Sequence, residues 1–150
     1  HPALGDVARM DWAIRGAFGA AGALPLTLAD LAELAPEQWP QRRFALLPSL
    51  RLVDLNWAVE PIWRALNEDE AAETEAPEPL AHVLLVWRPE LECLWRSVGP
   101  VEVAALRTLD QGARFAECCM AITGTGYPNP ATTAAGLLQR WVVDGLLVKN

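Results

Sequence analysis

Residues His82–Trp87 read HVLLVW, and every residue after the histidine is apolar. A strand with one face in water alternates apolar and polar residues at period two. A run that is apolar on both faces has the pattern of a central strand. Pro89-Glu90 supplies turn chemistry directly after it. LECLWRSV then alternates, with Leu91, Cys93 and Trp95 on one face and Glu92 and Arg96 on the other. The two runs together predict a β-hairpin.

Three helices are predicted after the hairpin. PVEVAALRTLDQG has Pro100 at its first helical position, where a missing N–H costs nothing, and Gly112 as its C-cap. ARFAECCMAITG is a shorter helix. NPATTAAGLLQRWVVDG has Asn129 as N-cap and an apolar stripe of Ala134, Leu137, Leu138, Trp141 and Val142. Gly145 ends it, and LLVKN returns as a last short strand. Hairpin, three helices and a short strand form a winged-helix-like order.

The N-terminal half reads differently. Val7, Met10, Ile14 and Phe18 recur at helical spacing over Asp6–Ala20, with Asp6 as cap. LTLADLAEL is a short helix capped by Thr27, with Asp30 completing a near capping box, and PEQWPQRR adds a turn. FALLPSLRLVDLNW is extended chain with a turn at Pro48-Ser49. AVEPIWRAL is a short helix with Val59, Ile62, Trp63 and Leu66 on one side. NEDEAAETEAPEP then breaks the pattern, because it holds no aromatic or branched aliphatic residue to offset the entropy of ordering. The expected fold is α+β. Residues 1–66 form a helical layer with one or two short strands, 67–79 an acidic linker, and 80–150 a winged-helix-like module.

Charge narrows the function. The chain has 12 basic and 19 acidic residues, a net −7, but Glu68–Glu78 alone holds six acids and no base. The remainder carries 13 acids against 12 bases and is nearly neutral. Nucleic-acid binding rests on clustered Lys and Arg. Here one Lys and 11 Arg are scattered, with Arg42-Arg43 the only adjacent pair. The segment around Asp30–Glu33 and the last predicted helix both sit in helix-turn-helix order. The first is acidic, and the second opens on small uncharged residues (Pro130 to Ala135). DNA binding is therefore disfavoured, and no apolar run approaches the length of a membrane span.

No catalytic motif is present: there is no GxGxxG, Walker loop, HExxH or GxSxG. His1 and His82 are the only histidines, and Gly124–Gly126 lacks the preceding strand of a phosphate cradle. Cys93, Cys118 and Cys119 show no ligand spacing. They read as buried free thiols of a reducing cytoplasm, with a redox or copper role for the vicinal pair as the sharper option. The expectation is no enzyme, no cofactor and no metal site. HPALGDV has no basic or apolar targeting pattern and no initiator Met, so the chain reads as part of a longer one.

Arg88 and Arg96 follow Trp87 and Trp95. They either brace a sheet whose tryptophans are core, or mark a strand edge that accepts an extended peptide. Here a family resemblance bears on the choice. PALGDVARMDWAIRGAF, LLPSLRLVDLNWAVEPIWRA and LLVWRPELECLWRSVGPVEVAALRTLDQGARFAE resemble, in order, segments of a bacterial family once described as DNA-binding. Its members are HvfC- or BufC-type peptide-modification chaperones. Trp57-Ala58 stands where Tyr-Pro is usual in that family.

The resemblance implies a non-catalytic partner that presents a Cys-containing precursor peptide to a multinuclear non-haem iron oxidase, the enzyme holding the iron. It also implies a peptide groove between the Val83–Arg88 strand and the last helix. The residues implied are Val83, Leu85, Trp87, Arg88, Ala134, Leu138 and Trp141. The doubly apolar pattern fits equally a strand already paired on both sides. The rival reading is a DNA-binding regulator.

Overall fold

The doubly apolar run forms the middle of a sheet. In the computed structural model, which describes residues 1–67 and 75–149, strand β3 (Pro79–Trp87) lies between β2 (Arg51–Trp57) and β4 (Leu94–Val98). Both pairings are antiparallel, so Leu85 faces Leu52 on one side and Arg96 on the other. Leu84 and Val86 enter a core with Met10, Ala13 and Ala17 of helix α1 (Leu4–Phe18). Leu85 and Trp87 enter a second core with Leu106 of α4 (Pro100–Asp110) and with Leu138 and Trp141 of α6 (Pro130–Val143). All four β3 side chains are buried. Each such burial is worth about 1.5–3 kcal/mol. The architecture is mixed α+β, with helices on both faces of a small antiparallel sheet.

Because β3 is apolar on both faces, its own pattern does not decide its register. The neighbouring strands do. Asp54 and Arg96 lie on the α4 side, where Asp54 meets Arg107 at 2.7 Å and Arg96 meets Glu102. A one-residue slip would turn both charged side chains into the α1 core.

The acidic segment does not separate two cores. β2 precedes it and β3 follows it, yet they pair along most of their length. The last strand, β5 (Leu147–Val148), does not join the hairpin. It pairs with β1 (Ala45–Leu46) and is held from the other side by Leu26, whose N–H donates to the Leu147 carbonyl at 2.9 Å. The division at 67–79 therefore parts two stretches of chain that share their sheets and both cores. Of that segment, 68–74 lie outside the described residues. In 75–78, the Glu78 carbonyl accepts the Ala58 N–H at 3.0 Å.

Several local expectations change. α1 begins at Leu4, so Asp6 is not its cap but sits in its first turn. Asp6 is buried, accepts the Asn56 N–H at 2.6 Å and pairs with Arg9, covering an outward-facing amide of β2. Ala13 and Ala17 replace Phe18 on the buried face, because Phe18 stands in solvent under the Arg88 guanidinium. Thr27 caps α2 (Leu28–Ala32) as expected, with the Asp30 carboxylate returning to the Thr27 N–H at 2.8 Å. In α3 (Glu60–Asn67), Trp63 is only half-buried and Leu66 is exposed. β4 starts at Leu94, so Leu91 and Cys93 belong to the hairpin loop. Asn129 precedes α6 with φ 52° and makes no side-chain cap. Helix α5 (Phe115–Gly124) lies between α4 and α6 in sequence and buries Cys118 and Ile122.

Candidate functional site: an apolar groove at the hairpin loop

The seven residues expected to form a peptide groove do not form an open one. Both edges of β3 are hydrogen-bonded to neighbouring strands over Val83–Val86, so this strand has no edge to offer. Leu85 and Trp87 are buried beneath the helices, as are Ala134, Leu138 and Trp141, and Val83 is half-buried among them. The physical reason is the pattern itself: a strand apolar on both faces is covered on both faces and sits centrally.

Arg88 is also engaged. Its backbone N–H donates to Ser49 Oγ at 3.0 Å, and Nε and Nη2 donate to the Ala17 and Ala20 carbonyls at 3.1 and 2.7 Å. Ala17 lies in the last turn of α1 and Ala20 just past its end, where a cation suits the helix dipole. Arg88 thus fastens the end of β3 to the end of α1.

A polar network holds the end of α6 against the sheet. Arg96 grips Glu102 with both terminal nitrogens, at 2.9 and 2.6 Å, and reaches Asp144 at 3.2 Å. The Trp141 indole donates to Glu102 at 2.8 Å, and the Trp87 indole donates to the Asp144 carbonyl at 2.9 Å. Burial pushes the Glu102 carboxyl up, but the hydrogen bonds from Arg96 and Trp141 and the guanidinium charge outweigh it. The net shift is downward. This network positions the elements around it, with Trp87 and Asp144 at its outer margin.

What is open lies one layer outward. A groove of about 960 Å³ runs between the hairpin loop, the segment leading into α2 and the end of α6. Leu28, Leu91, Leu94 and Val143 line it and are 51%, 83%, 41% and 74% exposed. On the far side of the same loop a depression of about 680 Å³ holds Ile14 and the exposed Phe18. Apolar side chains clustered in water mark an interaction surface. The outer edge of β4, which begins at Leu94, carries no strand partner among the described residues. Glu90 and Glu92 flank Leu91 on the loop, and neither carboxylate has a cationic partner among the described residues.

Sequence reasoning missed this surface because an exposed leucine and a core leucine look alike. The available signal was PELE, an apolar residue between two acids just past a turn, where a core position is improbable.

Other candidate chemistry disperses. His82 is half-buried, with Nδ1 2.9 Å from the Leu80 carbonyl and Nε2 2.8 Å from Glu60, tying β3 to α3. Burial pushes up all three thiols, Cys118 to about 12, with neighbouring Cys119 adding to the effect there. Among the described residues no three His, Cys, Asp or Glu side chains gather as metal ligands, and no helix is long and apolar enough to cross a membrane. Five of the arginines pair with carboxylates: Arg9, Arg15, Arg96, Arg107 and Arg140. Compared with known proteins, the chain matches no family model and no curated sequence.

Proposed function

We propose that this chain is a non-catalytic peptide-binding module, and that the groove at the hairpin loop is where the peptide docks. The observation that carries this reading is the apolar lining of Leu28, Leu91, Leu94 and Val143, of which Leu94 begins the edge strand β4. An extended peptide gains main-chain hydrogen bonds by adding to such an edge and specificity from side chains seated in adjoining pockets. The polar network of Arg96, Glu102 and Trp141 makes the groove wall rigid, which lowers the ordering cost of binding.

The partners follow from the family resemblance. The peptide is a Cys-containing precursor, and the enzyme it is presented to is a multinuclear non-haem iron oxidase that holds the metal. In this reading residues 80–150 act as a winged-helix-like recognition element in the cytoplasm, with the docking edge moved from β3 to β4. Binding duplex DNA is the weaker reading, because one Lys and 11 scattered Arg make no basic cluster along the sequence for phosphate.

Calorimetric titration of the precursor into the protein, alone and with the oxidase, tests the proposal. Binding that is weakened by Leu91→Ser with Leu94→Ser in a folded protein is expected. Absence of binding to the unaltered chain, with tight and steeply salt-dependent binding to duplex DNA, overturns it.

A further inference from the structure

We infer that the groove selects a segment that is apolar at its centre and basic at its flanks. This rests on the peptide reading above and deepens it by naming the chemistry of the segment. The groove lining contains three ionisable side chains, Glu90, Glu92 and Asp144, and all are carboxylates. Asp144 is already neutralised by Arg96 at 3.2 Å and Arg140 at 3.7 Å. Glu90 and Glu92 are exposed and neither carboxylate is ion-paired among the described residues, although the Arg88 guanidinium donates to the Glu90 backbone carbonyl.

Their positions add to the argument. The loop alternates Glu90, Leu91, Glu92 at its tip, so an apolar contact is bracketed by two negative charges. A bound segment that places Val or Leu against Leu91, Leu94 and Val143 brings its flanking residues to those carboxylates. Lysine or arginine there meets opposite charge, and its aliphatic stem lies along the apolar wall. Glutamate or aspartate there meets like charge with no compensating donor. The Arg88 guanidinium is held by the Ala17, Ala20 and Glu90 backbone carbonyls, and Arg15 on the far side of the loop is paired with Asp11 at 2.6 Å. Because Glu90 and Glu92 are solvated, the selection is modest in size and sensitive to salt.

The test uses two synthetic peptides that share a Val/Leu-rich centre and differ only in their flanks, lysine in one and glutamate in the other. Fluorescence anisotropy against the full chain reads both affinities. The lysine-flanked peptide is expected to bind about threefold to tenfold tighter at low salt, with the gap closing as salt rises. Glu90→Lys with Glu92→Lys is expected to reverse the order, and Glu90→Gln with Glu92→Gln to abolish it. Circular dichroism confirms that these exposed-loop variants are folded. Equal affinity for both peptides, with both weakened by Leu91→Ser and Leu94→Ser, leaves the peptide reading standing and overturns the charge selection. A lysine preference that persists in the charge-reversed variant also overturns it. If neither peptide nor the precursor binds, the peptide reading fails and this inference falls with it.

Discussion

Removing Arg96 and Glu102 separately and then together should produce strongly non-additive losses of stability. In Arg96→Met, Glu102 stays in a site where it is 7% exposed, with the Trp141 indole at 2.8 Å as its remaining donor in the network. Stranding a buried charge in this way costs about 3–5 kcal/mol. In Glu102→Leu, Arg96 keeps Asp144 at 3.2 Å but the Trp141 N–H loses its acceptor. The cost is about 3 kcal/mol, the orphaned donor alone accounting for about 1–3. The double variant leaves neither charge, so only the Trp141 donor remains unsatisfied and the loss falls to about 1–3 kcal/mol. Urea denaturation of the four proteins measures the coupling. A double variant whose loss equals the sum of the singles to within about 0.5 kcal/mol would refute the network as a unit.

Three further outcomes follow from the same geometry. Trp141→Ala, which empties a fully buried site, should lower stability by about 3–5 kcal/mol, and an unchanged melting temperature would show that it is not core. The Glu102 carboxyl titrates below its ordinary 4.5 in the folded chain. Its contribution is therefore complete above about pH 4.5 and lost as pH falls through the lower folded value. Glu102→Gln should flatten the acid limb of the stability curve, and an unaltered slope below pH 4.5 would contradict this. With its thiol pushed up to about 12, Cys118 should resist a thiol reagent in the native state and react only on unfolding, while fast native labelling at Cys118 would show that the helix opens.

Much of the fold was legible because it depends on local chemistry. The capping box at Thr27, the proline-started helices and the apolar stripe of α6 each follow from a few neighbouring residues. The doubly apolar run correctly indicated a central strand, and that same fact closes the edge where the peptide was expected. What was not legible is long-range pairing. The acidic segment looks like a boundary in composition, but strands on either side of it pair with each other, and β5 finds β1 across a separation of about a hundred residues. Asp6 illustrates the same limit. A short acid near a helix start reads as a cap, and only the approach of Asn56 gives it a buried partner. The groove was invisible for a related reason, since exposure of Leu91 and Leu94 is decided by which elements fail to cover them.

In the proposed function, peptide docks at the hairpin loop and not along β3. Amide chemical shifts of the full chain, recorded while the Cys-containing precursor is added, test it most directly. Saturable shifts are expected at Leu28, Glu90 to Leu94 and Val143, continuing along the outer edge of β4, with the interior of β3 unmoved. Shifts confined to Val83–Val86 and the Ala134–Trp141 face, or no saturable shifts at any precursor concentration, would contradict it.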